Sequence, residues 1–550
     1  MIAPSNQAQP AGPPPEGDAG DMGTEVARAG SWGFSGRAVL LVANLASTPF
    51  TIRLLGPSAY GLWALIQAVL LWAGLAEGGM WAATTKFGAA RYAAGDSRGE
   101  ATVVWSGLCF AFAATGSVAL ALSLGAHAVL EVLNVKGGLL STATLALRIA
   151  CLTFVLYAVQ GSVNTVQQVR LRWRQFTILN TLSNLIVAIG VPLALYVLGG
   201  GVVTAASVCA FGTFVYVVGL FWDGQRVQPA IRRPHVSLRT LRQLISYGGA
   251  LTVAGIASVP LSTGERFFLS SDTSTTKVAY YAVAMTIATT LLVLPEQICS
   301  PLIPALARLE AEGEHDEHRA LYAKSLAGLF LVLTPATIII ALMARPFLSL
   351  WAGPAYGAHA TILLLVALAG AWANALAWVP GAYILSSGRT KALALLQAAE
   401  LPPYILAAWA LTARWGAIGA AATWSGRFVV DAAGQFMIAR RAGRLTVVPL
   451  SAQRARSVLA PAALGLACAA AALESHGLLA RSAEAIVLMA TYSSLVWTWV
   501  LTARERRGIV SLLGASIGSR FARMFHQPAH RREKKGPAKR LRALMYRQRG

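Results

Sequence analysis

Several charged side chains lie inside long apolar segments, where a charge is expected to have either an oppositely charged partner or a function. An ionisable group at the centre of a bilayer costs about 2.5–3.5 kcal/mol on insertion scales. Guanidinium groups bind phosphate oxygens bidentately and keep their charge, so arginines in such segments predict an anion site. Carboxylates in a hydrated cavity can bind protons or sodium, or they neutralise neighbouring arginines. The arginines are Arg37, Arg53, Arg148 and Arg266, and the acids are Glu77, Glu265, Glu296, Glu400 and Asp431.

The four arginines are predicted at different depths, under the topology derived below. Arg37 lies toward the cytoplasmic end of the first segment and Arg53 near its periplasmic end. Arg148 lies near the middle of the fourth segment, and Arg266 lies in the periplasmic third of the seventh. Arginines on segments 1 and 7 of two facing bundles would together line the path of an anion. The alternative for Arg37 and Arg53 is that they anchor the two ends of one helix by reaching the water interfaces.

Spacing predicts partners for some of these charges. Asp431 follows Arg427 by four residues, so the two share a helix face and are expected to form a salt bridge. Glu265 directly precedes Arg266 and would point about 100° away from it around the helix, so we do not expect a direct pair. Glu400 precedes two prolines and is expected to satisfy backbone amides at a kink.

Glu77 and Glu296 fall in corresponding cytoplasmic thirds of the second and eighth segments. Together with Glu265 and Asp431, they are the candidates for ion coupling or charge pairing. No cofactor is predicted, and coupling to protons or to sodium stays open.

Composition identifies the elements that must position these residues. The chain has 550 residues, of which 56% are hydrophobic and 13% charged, and its mean hydropathy is +0.57. Soluble proteins carry about a quarter charged residues, so an ordinary soluble globule is excluded. The net charge of +23 is typical of nucleic-acid binding, but long apolar runs exclude that partner here. The five cysteines lie in apolar stretches without a Cys-x-x-Cys spacing, which predicts neither a disulfide framework nor a metal site.

Fourteen segments are long enough to span a bilayer core of about 30 Å, which takes about 20 apolar residues. Basic residues concentrate in alternate connections, which places these connections and both termini in the cytoplasm. The predicted fold is an all-α polytopic membrane protein. The predicted divisions are a disordered tail (1–30), an N-lobe of helices 1–6 (31–222), a basic linker (223–243), a C-lobe of helices 7–12 (244–440), a terminal helix pair (441–502) and a basic tail (503–550).

The two lobes contain the same even number of helices, so they are predicted to be parallel repeats with a cleft between them, where transporters commonly bind their substrate. A weak sequence similarity between the lobes supports this prediction of a repeat. Residues 59–64 (AYGLWA) and 279–284 (AYYAVA) each begin the second helix of a lobe.

The C-terminal tail is strongly basic. From Arg504 to Gly550 it has fourteen Lys or Arg residues against two Glu, with apolar residues at helical spacing. Such a helix is expected to bind anionic membrane lipids, each basic residue contributing on the order of 1 kcal/mol. Two alternatives are a solvated tail and a docking platform for polysaccharide polymerase or export proteins.

Short motifs in a fixed order resemble one known family. They are residues 53–64 (RLLGPSAYGLWA), Glu265-Arg266 followed by residues 280–284 (YYAVA), residues 350–356 (LWAGPAY), residues 388–391 (GRTK) and residues 416–421 (GAIGAA). The chain thus resembles the polysaccharide transporters, including O-antigen flippases, of the multidrug/oligosaccharidyl-lipid/polysaccharide exporter superfamily. Glu265 stands where that family often has Asp.

The resemblance implies a bacterial inner-membrane flippase. Its substrate would be a polyprenyl-diphosphate-linked oligosaccharide for O-antigen, capsule or exopolysaccharide synthesis, translocated by alternating access. The four arginines are then candidate ligands of the diphosphate.

Two other functions are weighed against this one. A membrane-embedded glycosyltransferase, polymerase or ligase would need a large extramembrane catalytic loop, and no Walker A, zinc-protease or nucleophile-elbow motif is present. We therefore predict that the chain is not an enzyme. In a drug/cation antiporter of the same superfamily, acidic residues would be expected to outnumber basic ones in the cleft. This sequence places at least as many arginines there.

Overall fold

The computed structural model describes residues 18–443, residues 483, 486 and 487, and residues 490–494. The first half of the predicted N-terminal tail, almost all of the predicted terminal helix pair and the basic tail lie outside these residues. The partners predicted for the basic tail therefore remain predictions. The first helix begins at Asp18 and so includes residues 18–30 of the predicted tail.

Residues 18–443 form seventeen α-helices and two 3₁₀ turns, and no described residue is in a β-strand. In the first half of the chain the helices are α1 (Asp18–Ala73), α2 (Met80–Ala93), α3 (Ser97–Leu124), α4 (Ala126–Val132), α5 (Leu139–Val163), α6 (Thr165–Val169), α7 (Trp173–Leu198) and α8 (Gly201–Val227), and the 3₁₀ turns are Gly74–Glu77 and Pro229–Arg232. In the second half they are α9 (Leu238–Gly255), α10 (Ser258–Asp272), α11 (Thr275–Thr290), α12 (Val293–Glu312), α13 (His315–Trp351), α14 (Pro354–His359), α15 (Thr361–Ser386), α16 (Thr390–Trp415) and α17 (Ala417–Gly443).

Nine helical stretches within the described part of the chain are long and apolar enough to cross a membrane. A helix satisfies all of its backbone hydrogen bonds internally, which is what a span in lipid requires. The prediction of an all-α polytopic membrane protein is confirmed. The fourteen-span count stays a prediction.

The first two predicted spans run together as one kinked helix, α1. Gly56 has φ +77° and ψ 164° and therefore leaves the helical conformation at the kink. The following Pro57 has no amide hydrogen to continue the helical ladder. A positive φ is readily adopted by glycine alone, so this Gly-Pro pair sets the kink between the two spans.

Two other predicted spans are each divided into two helices. Span 7 consists of α9 and α10, which meet at residues 256–257, and span 8 consists of α11 and α12, which meet at residues 291–292. In both spans a proline, Pro260 or Pro295, follows the break within four residues. The missing amide of such a proline leaves the carbonyl four residues earlier without its helical partner, which explains both breaks.

The second part of α1 belongs to two hydrophobic cores at once. Its buried Leu62 and Ile66 pack with α3 to α5 and α8, whereas Leu65 packs with α11 to α15 and α17. Residues three to four apart lie on one helix face, and Leu65 lies on another. This helix therefore forms the seam between an N-terminal and a C-terminal bundle, and we keep the names N-lobe and C-lobe for them.

Candidate functional site

A buried carboxylate is held between three helices of the C-lobe. Glu265, on α10, is fully buried. The hydroxyl of Tyr281, on α11, donates to Glu265 Oε1 at 2.8 Å. The hydroxyl of Tyr404, on α16, donates to Glu265 Oε2 and accepts the backbone N–H of Glu265. The carboxylate thus has a hydrogen-bond donor on each oxygen, as a buried charge requires.

Arg266 lies beside this carboxylate, and the expectation that the two side chains do not pair was wrong. Arg266 Nε is 3.9 Å from Glu265 Oε1. The arginine side chain is long enough to turn back toward its neighbour, which the angle between their Cα–Cβ bonds does not reveal. Its helix, α10, contacts the seam helix α1 as well as α16 and α17 of the C-lobe, and 22% of the Arg266 side chain is exposed.

A second charged cluster lies deeper in the C-lobe. Arg427, on α17, lies with its Nε 3.5 Å from Glu400 Oε2 of α16, and its Nη1 donates to the Leu261 carbonyl at 3.2 Å. Asp431 instead accepts a hydrogen bond of 2.9 Å from Gln435. The predicted pairs were therefore wrong. Arg427 forms its salt bridge with Glu400 rather than with Asp431, and Glu400 pairs with this guanidinium rather than with backbone amides at a kink. The contact between α16 and α17 supplies a closer carboxylate than the same helix does.

This second cluster borders a cavity of about 580 Å³. Charged and amide side chains from α12, α16 and α17 line its polar part, namely Glu296, Gln297, Gln397, Arg427, Asp431 and Gln435. Buried oxygens without a hydrogen-bond partner remain on Glu400 and Asp431. A polar cavity of this kind can hold water, a proton or a small cation next to the carboxylates.

The two clusters are one turn apart on two helices. Glu265 follows Leu261 on α10, and Tyr404 follows Glu400 on α16, in each case by four residues. The Arg266–Glu265 cluster and the Arg427–Glu400 cluster are therefore neighbours on α10 and α16. If all groups are ionised, the four carboxylates of Glu265, Glu296, Glu400 and Asp431 outnumber the two guanidiniums, which favours uptake of positive charge.

The other predicted arginines are not gathered at this site. The backbone of Arg37 is in α1, and its side chain is outside the described part. Arg148 is exposed on α5, where its Nε donates to the Ser123 carbonyl at the end of α3. Glu77 ends a 3₁₀ turn and accepts the backbone N–H of Trp81 at 3.3 Å. Of the residues predicted for the site, the structure brings together Arg266, Glu265, Glu296 and Asp431.

Arg53 belongs to a set of bonds between the lobes at the end predicted to face the periplasm. Its Nη2 donates to the Leu350 carbonyl of α13 at 2.6 Å. Ser58 and Thr275 share a hydrogen bond of 2.8 Å between α1 and α11. Nearby, the indole of Trp351 donates to the Leu45 carbonyl at 2.9 Å. We call this set the periplasmic latch.

Sequence reasoning missed several residues of the site. Tyr281 and Tyr404 stand in apolar spans, and a phenol there requires a polar partner, which was the available signal. For the latch, the signal was Gly353-Pro354, because this pair ends α13 and leaves its last carbonyls open to a donor. The side chains of Gln297 and Gln435 carried no signal beyond their place in a span.

Comparison with known proteins places this architecture among membrane transporters. A profile of a family described as polysaccharide biosynthesis protein matches residues 51–361. The putative O-antigen transporter of Shigella flexneri is 26% identical over 404 residues, which are 73% of this chain and 94% of that protein.

Two solved structures share the fold at low identity. One is an inward-facing multidrug resistance MATE family transporter of the MOP superfamily, with a TM-score of 0.64, 16% identity, and coverage of 74% of this chain and 94% of that chain. The other is the lipid II flippase MurJ in an inward closed conformation, with a TM-score of 0.63, 10% identity, and coverage of 86% and 99%.

Proposed function

The chain belongs to the polysaccharide biosynthesis protein family, and from that premise we propose that it is a flippase for a lipid-linked oligosaccharide. The family resemblance seen in its motifs is thereby confirmed. In the proposal, a polyprenyl-diphosphate-linked oligosaccharide moves from the cytoplasmic to the periplasmic leaflet of the bacterial inner membrane. The two lobes rock about their seam in alternating access, while the prenyl tail stays in the lipid.

The position of Arg266 is the single observation that carries this proposal. A guanidinium on α10, a helix that contacts the seam helix α1, with 22% of its side chain exposed and its Nε 3.9 Å from the Glu265 carboxylate, can bind a passing diphosphate. Its counter-charge, Glu265, is held by two tyrosines on the C-lobe side and so leaves the seam side positive. Arg37, Arg53 and Arg148 remain further candidates for contacts along the path.

The carboxylates of the C-lobe give the proposed cycle a means of ion coupling. Glu296 and Asp431 line the cavity, and Glu400 pairs with Arg427, which also lines it. A proton or a sodium ion bound there would change the charge that Arg427 and, through Tyr404, the Glu265–Arg266 pair experience. Relatives support the substrate class, since one is named for O-antigen transport and one structural neighbour is a lipid II flippase.

The test is complementation of a strain from which the gene has been deleted. We expect the deletion to abolish surface polysaccharide and to strand carrier-linked intermediates in the cytoplasmic leaflet, and the wild-type gene to restore export. Arg266→Ala should fail to restore it at normal protein abundance. Arg308→Ala, which changes an exposed arginine paired with Glu312 at 2.7 Å, is the matched control and should restore export. Full export by Arg266→Ala would overturn the assigned role of Arg266.

One observation favours a second candidate, a drug/cation antiporter. The C-lobe cavity is bordered by more carboxylates than guanidiniums, and the fold is shared with a multidrug transporter. Transport by the purified protein in vesicles separates the two functions. Uptake of organic cations without movement of a polyprenyl diphosphate would establish the antiporter in place of the flippase.

A further inference from the structure

The helix α9 has one polar face that is exposed in the described part of the chain. Arg239, Arg242, Gln243 and Ser246 are all exposed and recur at helical spacing along this face. We call them the α9 polar face. On the opposite side Leu244 is fully buried.

The buried side of α9 packs against the N-lobe. Tyr247 meets Phe87 of α2 edge to face, with ring centroids 5.9 Å apart. The ammonium of Lys86 lies 3.9 Å from the centroid of the Tyr247 ring. These contacts fix the rotation of α9 and therefore the direction in which its polar face points.

The α9 polar face borders an open cavity of about 990 Å³, with Phe87 and Tyr247 on its wall. Span 7 passes from one lobe to the other, because α9 packs on α2 and α3 whereas α10 packs on α16 and α17. The side of α9 that is turned away from the N-lobe is exposed and lines this cavity. By the predicted topology the cavity lies at the cytoplasmic end of span 7.

The charge of this cavity is positive and unbalanced. Across the part of the chain that the structure describes, neither Arg239 nor Arg242 forms an ion pair or a side-chain hydrogen bond. Arg239 and Arg242 are about one helical turn apart, so both guanidiniums can contact one ligand. Two guanidinium groups at this spacing can bind a diphosphate, which offers oxygens on two phosphorus atoms.

We propose that the α9 polar face is the reception site for the diphosphate headgroup of the substrate on the cytoplasmic side. This inference rests on the proposed flippase function and adds a site to it. Arg242 and Arg266 lie on the same span, 24 residues apart in sequence, which corresponds to about 36 Å of helix. Arg239 and Arg242 would take the anion from the leaflet, and Arg266 would receive it further along the seam.

The test measures binding of a long-chain polyprenyl diphosphate to the purified full-length protein in nanodiscs of zwitterionic lipid. The variant R239Q/R242Q should bind at least about tenfold more weakly than the wild type, since each lost charge-assisted contact is of that order. The control R440Q/R441Q removes two exposed arginines from the last turn of α17 and should bind as the wild type does. Inorganic diphosphate should compete, whereas anionic phospholipid in the nanodisc should not.

Each other result has a distinct meaning. Failure of the wild type to bind the polyprenyl diphosphate overturns the proposed function, and the reception site with it. Equal binding by the wild type and R239Q/R242Q overturns the reception site alone. An equal loss in R440Q/R441Q, or full competition by anionic phospholipid, would show that basic surface charge and not this face recognises the anion.

Discussion

The guanidinium of Arg53 donates a hydrogen bond of 2.6 Å to the carbonyl oxygen of Leu350. The two residues are 297 positions apart and belong to different lobes. Leu350 is in the last turn of α13, where carbonyl groups lack helical donors and carry the negative end of the helix dipole. The bond therefore closes the seam at the end predicted to face the periplasm, and alternating access would require it to break.

We predict that Arg53→Gln loosens the periplasmic latch. A hydrogen bond from a charged donor is worth roughly 1.5–3 kcal/mol, so the population of the conformation open at this end should rise by about tenfold or more. Spin labels at Lys136→Cys and Ala358→Cys, which are exposed on the two lobes at this end, would report a longer distance. Arg148→Gln is the control, because its arginine also binds a helix-end carbonyl but within one lobe. An unchanged distance distribution in Arg53→Gln would contradict the latch.

The close approach of α1 and α11 predicts that Gly61→Ala disturbs the same seam. A Cβ at position 61 would overlap the carbonyl oxygen of Thr275. We expect a loss of stability of about 1–3 kcal/mol from overpacking, measured as a lower midpoint of thermal unfolding. Gly116→Ala is a matched helical control, since a Cβ there meets no atom within 4 Å. Equal unfolding midpoints for the two variants would refute this close approach.

The two tyrosines around Glu265 predict a specific rescue. Glu265→Leu removes the acceptor of two buried hydroxyls, Tyr281 and Tyr404, and each unpaired group costs about 1–3 kcal/mol. Changing both tyrosines to phenylalanine in the Glu265→Leu background should recover most of the lost stability, measured by chemical denaturation in detergent. If the triple variant is no more stable than Glu265→Leu, the hydroxyls are not paired with Glu265.

The partner of Arg427 can be measured by double-mutant cycles. Because Arg427 lies 3.5 Å from Glu400, we expect a coupling free energy of about 0.5–3 kcal/mol between Arg427→Met and Glu400→Gln. The cycle of Arg427→Met with Asp431→Asn should give a smaller value, since Asp431 is bonded to Gln435. A larger coupling to Asp431 would restore the pairing expected from the i, i+4 spacing.

Local sequence signals anticipated the break in α1 and the charged residues of the C-lobe, but not their partners. Gly56-Pro57 marks a kink by its own chemistry, and Glu265 and Arg266 stand out because charge is rare in an apolar span. Which carboxylate pairs with Arg427 depends on the distance between α16 and α17, and residue spacing along one helix does not reveal that distance. The same holds for Arg53, whose acceptor lies almost 300 residues away.

The amino-acid sequence alone determined that this chain is an all-α membrane protein of the polysaccharide transporter type. A membrane span is recognised from the hydropathy of about twenty consecutive residues, and the family motifs are short. Both signals are local in the sequence and can be read without the tertiary structure. Only the tertiary structure decided which charges share a site, because an ion pair depends on distances of about 4 Å between separate helices. Within the described residues, the structure places Arg53 and Arg148 at helix-end carbonyls and Arg266 beside Glu265, and it leaves Arg239 and Arg242 exposed beside the α9 cavity.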